Sequence, residues 1–229
     1  MSQIVNYLKL SQELQQQVKD QKLGGHLKLI RDWQCKRLLT SYNFLYNKKK
    51  YHAAMDFFTQ ELYGPTDFSE RDKEIEKVLP MMQKVLSKDT LDIFELALRL
   101  NYLSLSLDVE MAKRLPQKST LTTEVYADIY KACDNPELRQ QQLDYIELIA
   151  YELAKIAQRK SIMLMLKLSR KPAKLAGLGE LQRILENGAE AFKSIGKVNE
   201  FIDPILLGER KIMLQLFQGN DVLPQQMNL

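Results

Sequence analysis

Between Asp89 and Leu115, apolar residues fall on two sides of one helical projection. Leu91, Phe94, Leu98, Leu105 and Val109 lie on one side, and Ile93, Leu96, Leu100, Leu103 and Leu107 on the other. Only a narrow stripe of Asp92, Glu95, Arg99, Ser106 and Glu110 is polar. A helix that is greasy on two faces needs neighbours on two sides, so this segment predicts a central buried helix near 89–115. The rest of the chain agrees in kind. Nine glycines and seven prolines are few for 229 residues, and the abundance of Leu, Lys, Glu, Gln and Ala favours helix over strand. No linker, shift of composition or 30- to 45-residue repeat divides the chain. The expectation is an all-α, single-domain bundle of about eight to ten helices over residues 1–229.

Punctuation in the sequence places the other helices. The first spans about Ser2 to Lys22 and ends at Gly24-Gly25, and the second spans about His26 to Tyr46. The third, about Tyr51 to Leu62, stops before Gly64-Pro65. Ser69 with Asp72 resembles a capping box for the fourth, which should bend or break at Pro80. Thr122 or Thr123 caps a short helix to Cys133, and Asn135-Pro136 opens a long one to about Arg159. Ser161 to Leu175, Gly179 to Ile195 and Val198 to Gln218 complete the set, with Pro172 and Pro204 as points of bending.

Several chemistries are absent. Neither His26 nor His52 follows a Glu by three residues, which removes the Glu-x-x-His pairs of a ferritin-like di-iron bundle. Cys35, Cys133 and the two histidines lack zinc-ligand spacing. No phosphate-binding glycine loop, dinucleotide fingerprint or nucleophile elbow occurs. The run Leu175 to Glu180 is glycine-rich but reads as a tight turn between helices, and His26 as a polar helix start rather than a haem ligand. No cofactor and no metal are expected. Two distant cysteines are too sparse for a disulfide framework, so both are read as reduced. The start of the chain has no signal-peptide core, and the longest uncharged run in the leucine-rich middle, Leu100 to Leu107, is far below the ~20 residues that span a bilayer. A cytoplasmic protein without a transmembrane segment is expected.

Two segments carry candidate function. Between Leu153 and Gly179 there are seven basic residues and no acidic one, in a chain of otherwise nearly balanced charge, +4 overall. Lys160, Lys167, Lys171 and Lys174 share one helical side, within about 60° of each other, and Ile162, Met165, Leu168 and Ser169 lie away from them. With Arg170 they form a candidate basic surface backed by apolar residues. An anionic partner for the 155–174 segment could be nucleic acid, lipid or the acidic face of a protein. The absence of aromatics among the lysines argues against base stacking, and the lack of Trp or Phe argues against membrane insertion.

The second segment is FFTQELYGPTDFSERD, residues 57–72. It specifies a helix-turn-helix corner in which Glu61 or Asp67 is expected to meet Arg71, or Arg37 from the preceding helix. Arg37, Glu61, Tyr63, Asp67, Arg71 and Asp72 form a candidate corner or pocket rim. Together with the later KLAGLGELQ run, this segment resembles a group of uncharacterised bacterial proteins in which the first motif commonly reads FFLEELYGP. The resemblance spans most of the chain and implies a bacterial cytosolic source, without an activity. Thr59 and Gln60 replace the commoner Leu-Glu, leaving Glu61 as the sole carboxylate of that pair.

The function expected from these features is a non-enzymatic binding module, with another protein as the partner. The alternative is a pocket inside the bundle for a small apolar or haem-like ligand, with methionines such as Met111 and Met213 as adaptable lining and Asn101, Ser104 and Asp108 as inward polar points. A phosphate-directed nucleic-acid contact ranks third.

Overall fold

A computed structural model describes residues 3–63, 69–116, 120–220 and 222–224. Every regular element among them is helical. The order is α1 (Gln3–Asp20), α2 (Gly24–Ser41), α3 (Asn43–Tyr46), α4 (Lys49–Asp56), a π-helical turn (Phe57–Leu62), α5 (Ser69–Val85), α6 (Lys88–Arg114), α7 (Thr123–Ala132), α8 (Pro136–Ala157), α9 (Lys160–Leu175), α10 (Gly179–Ile195) and α11 (Val198–Gln218). The fold is all-α as expected. The eleventh helix arises because the second predicted one breaks at Tyr42, leaving α3 as a single turn.

The two-faced segment is the central helix. α6 packs on α1, α2 and α8, with α7 against its end. Its burial is greatest in the second half, where Leu103, Leu105, Leu107, Val109, Met111 and Ala112 are enclosed. Ser87 starts it by accepting a hydrogen bond from the Thr90 N–H at 3.4 Å. The main core joins Trp33, Tyr51, Phe201, Met111, Leu121 and Ile195, and a second cluster joins Ile4, Leu8, Ile75, Leu79, Leu98 and Leu181.

Local signals decided some boundaries and not others. Gly219 ends α11 in the left-handed conformation at φ 80°, and Thr122 caps α7 through Val125 N–H at 3.3 Å. Helix α1 instead ends at Asp20, with Lys22 rather than a glycine at φ 55°, while Gly24 and Gly25 form the first turn of α2. Asn135 precedes Pro136 without capping the helix through its side chain. The helices α5, α9 and α11 run through Pro80, Pro172 and Pro204 without a break in assignment. Asp67 and the Gly64-Pro65 stop lie outside the described residues, as does the side chain of Ser69.

Candidate functional site

Two regions carry charge in patterns that need explaining: a buried polar seam beneath the π-helical turn, and the outer face of α9.

The seam begins on α2. Arg31, Gln34 and Arg37 follow one another at three-residue steps beside the core residues Ile30 and Trp33, so one face of the helix delivers polar and apolar groups inward together. Arg31 Nε donates to Asp108 Oδ2 at 3.1 Å, and the Tyr63 hydroxyl donates to Asp108 Oδ1 at 2.8 Å. Asp108 is fully buried, and these two donors compensate its charge. Burial, then the neighbouring Asp108, holds the Tyr63 phenol well above its ordinary range, so it stays protonated as a donor. Gln34 Nε2 donates to the Tyr126 hydroxyl at 3.2 Å, and the Tyr126 ring stacks on Trp33 at 3.9 Å between centroids.

Arg37 is buried and clasped through both terminal nitrogens by Glu209 of α11, one bond being 2.8 Å long. The Tyr42 hydroxyl donates to the same carboxylate at 2.8 Å. Burial opposes the charge on Arg37, but Glu209 more than offsets it and holds the guanidinium above its ordinary value. Arg139 of α8 is different. It is buried, lies over the Tyr130 ring at 4.7 Å, donates to Met111 Sδ at 3.1 Å and to Gln142 Oε1 at 3.3 Å, and meets no carboxylate at ion-pair distance among the described residues.

The π-helical turn sits over this seam. Its wider winding is set by Tyr63 N–H donating to the Phe58 carbonyl five residues back at 3.0 Å. Phe57 packs flush against Gly188, where an added Cβ would come within 2.8 Å of the ring. The Thr59 carbonyl accepts the Cys35 thiol at 3.2 Å. Burial, then Asp32 and Asp108, pushes that thiol up to about 11, so Cys35 is a packed thiol rather than an activated nucleophile. Both cysteines are free.

Among the described residues, the corner side chains turn to several different elements. Glu61 reaches α10, where Arg183 Nη1 is 2.9 Å away and Asn187 Nδ2 donates at 2.7 Å, instead of meeting Arg71 or Arg37. Arg37 turns to Glu209 and Tyr63 to Asp108. Arg71 meets Asp72 at 2.8 Å and Asn101 at 3.3 Å. The inward polar points of α6 are likewise engaged: Asn101 by Arg71, Ser104 by Gln142 at 2.8 Å, and Asp108 by Arg31 and Tyr63. Two open surface depressions, of about 470 and 480 Å³, lie near Lys36–Tyr46 and Pro136–Tyr145, and α6 lines neither.

The other loops and ligand candidates are also engaged. The glycine-rich run before α10 is a turn with Gly177 at φ 71°. The N–H groups of Glu180 and Leu181, which an anion at this helix start would need, donate to Glu74 at 3.4 and 2.7 Å. His26 Nδ1 faces the Ala112 carbonyl at 3.1 Å, and His52 stacks on Tyr46. No group of side chains suited to a metal ion occurs among the described residues.

Helix α9 is the opposite of the seam. None of its described side chains is buried, and among the described residues it adds nothing to the hydrophobic clusters. Polar contacts tie it to α10: Arg170 Nε sits 2.7 and 2.8 Å from the Glu186 oxygens, Gln182 donates to the Leu166 carbonyl at 2.7 Å, and the Ser169 hydroxyl to Gln182 at 3.1 Å. Arg170 is therefore internally neutralised. Lys167, Lys171 and Lys174 are exposed and form no ion pair among the described residues. Met165 and Leu168, expected behind the lysines, face solvent beside them. The exposures of Leu164, Leu168 and Leu175 are 59%, 70% and 90%. Only Ile162, Met163, Leu166, Ser169 and Ala173 turn partly inward.

The chain is a member of the family described as a domain of unknown function, DUF8198, which matches residues 13–222. No curated protein and no solved structure matches the chain. No helix among the described residues is long and apolar enough to cross a membrane.

From the sequence, Arg37 and Tyr63 of the seam were singled out only as corner residues. Asp108 was read as an inward polar point, but Arg31, Gln34, Arg139 and Glu209 were not. The available signal was the three-residue spacing of Arg31, Gln34 and Arg37 on the same face as Ile30 and Trp33.

Proposed function

We propose that this domain acts by non-covalent recognition of another protein, in the cytosol, with the outer face of α9 as its contact surface. The observation that supports this is the combination on α9 of exposed leucines with lysines that form no ion pair among the described residues, on a helix whose described side chains add nothing to the hydrophobic clusters. A solvated helix that serves only to cover a core buries its apolar face. Here three leucines and a methionine remain outside, which is the pattern of a surface that another molecule completes. The seam supports the same reading: its polar groups are directed at one another, as in a scaffold, with Asp108 taken up by Arg31 and Tyr63. The same geometry gives the internal-pocket reading no support, because the polar points that would line a pocket on α6 are engaged by neighbouring helices.

Site-specific photo-crosslinking in the source cells tests this. A photoreactive residue at position 164 or 168 should give a discrete crosslinked protein band, weakened by K167E/K171E/K174E and absent when the photoreactive residue replaces Leu207, an exposed leucine on α11. No protein crosslink from α9, or equal crosslinking from both helices, would refute the reading. Crosslinks to nucleic acid alone would do the same.

A further inference from the structure

We infer that the partner segment is an acidic amphipathic helix that lies along α9, an inference that rests on the protein-binding reading above and specifies its chemistry. The spacing of the outward residues carries it. Lys167 and Lys174 are seven residues apart, as are Leu168 and Leu175, and as are Leu164 and Lys171. Sequence places Lys160 one further heptad before Lys167. In heptad terms the leucines at 168 and 175 hold the a position, Leu164 holds d, and the lysines at 160, 167 and 174 hold g. The seam that a second helix would occupy is therefore already laid out. It has an apolar strip of Leu164, Leu168 and Leu175 extended sideways by Met165, with Lys171 at the d position between the last two leucines, and one cationic border of Lys167 and Lys174.

Charge selects the occupant. Flanking charges in a two-helix seam set the partner and orientation. Along α9 every described charged border residue is a lysine apart from Arg170, whose charge Glu186 already holds. A second copy of α9 lying antiparallel would set lysine row against lysine row. A parallel copy would place the lysines opposite Met165 and Pro172, which give no counter-charge. A helix with glutamates or aspartates at heptad spacing satisfies both halves of the surface, the apolar strip by burial and the lysines by pairing. A lipid surface fits less well, because the lysines border only one side of the leucines and no aromatic residue occurs in α9 to anchor it at a bilayer interface.

Two designed 21-residue helical peptides provide the probe. Both carry Leu at the a and d positions, one with Glu and the other with Lys at the flanking positions. With the intact protein, fluorescence anisotropy should show binding of the Glu peptide, weakening as salt rises. Binding should fall about tenfold or more in K167E/K171E/K174E, and similarly in L164S/L168S. The charge-reversed protein should acquire binding to the Lys peptide. Circular dichroism on each variant checks that the fold is retained, and a variant that fails it is replaced by the single change L168S. Failure of the Glu peptide to bind would overturn the inference, and so would equal binding to wild-type and charge-reversed protein. Tight binding to phosphatidylserine vesicles without binding to the peptide, or self-association abolished by L164S/L168S, would assign the face to another occupant and overturn it as well. If crosslinks from position 168 persist while the peptide fails, only this inference falls. If both vanish, the protein-binding reading falls with it.

Discussion

Arg37 lies buried with Glu209 across both of its terminal nitrogens, whereas Lys171, on a helix that also crosses the surface of the bundle, stands in solvent with no ion pair among the described residues. The buried cations among the described residues, Arg37, Arg71 and Arg139, are all arginines, and the open ones of α9 are lysines. The distinction follows from the two groups. A planar guanidinium forms several fixed hydrogen bonds and tolerates desolvation, whereas an ammonium on a flexible stem is better left hydrated until an anion arrives. Buried charge in this protein is spent on its own interior, joining α2 to α6 and α11. Exposed charge on α9 is left for something else. Substitutions in the first region should therefore act on stability, and substitutions in the second on binding alone.

The largest effect is expected at Glu209. Its replacement by Ala strands Arg37 in the core and also removes the acceptor of the Tyr42 hydroxyl. Breaking a buried pair from one side costs about 3–5 kcal/mol, seen in thermal denaturation as a fall in Tm of about 10 °C or more. A loss below about 1 kcal/mol would mean that Arg37 escapes to water, and the contrast between the two regions would dissolve. Next is Asp108→Asn, which keeps the shape but weakens the bonds from Arg31 and Tyr63. It should cost roughly 2–3 kcal/mol in urea unfolding, with an unchanged slope of stability against denaturant. Arg139 sharpens the comparison within the seam. Because no carboxylate meets it at ion-pair distance among the described residues, Arg139→Met, which keeps length and loses a desolvated charge, should change stability by less than about 1 kcal/mol in either direction. A cost as large as that at Glu209 would show that the Tyr130 ring and the Met111 sulfur hold the guanidinium far more firmly than cation–π and sulfur contacts ordinarily do.

The same division explains what could be read from the sequence. The central helix was legible because its leucines repeat within one helical turn, and period is a local property. The start of α7 at Thr122 was legible because capping is local too. The break at Tyr42 was not, since that residue's hydroxyl is held by Glu209 and the Ile205 carbonyl from α11. Arg37 was recognised as a residue needing a partner, but the partner lies 172 positions along the chain. Glu61 was singled out in the same way, and its partners Arg183 and Asn187 sit on α10, far along the chain. Pairing across a bundle depends on which helices become neighbours, and one sequence carries no direct trace of that. The basic face of α9 was visible from spacing alone, because it needs no long-range partner inside the chain. What spacing did not show is that Met165 and Leu168 turn outward beside the lysines, since α9 is held through Ser169, Arg170 and the Leu166 carbonyl instead.

The smallest effect is the most informative about α9. K167E/K171E/K174E reverses three exposed charges that form no ion pair among the described residues, so the stability change should stay within about 0.5 kcal/mol by urea unfolding. Backbone amides of α9 should also exchange with solvent faster than those of the second half of α6, because local opening of α9 exposes little apolar surface that is not already exposed, while opening of α6 would uncover Leu103, Leu105 and Leu107. Hydrogen-exchange mass spectrometry reads both segments in one experiment. Should α9 prove as protected as α6, or should the three reversals destabilise the fold as much as Asp108→Asn, the lysines would belong to the protein's interior bookkeeping after all. The comparison between a self-satisfied seam and an outward-looking helix would then have to be abandoned.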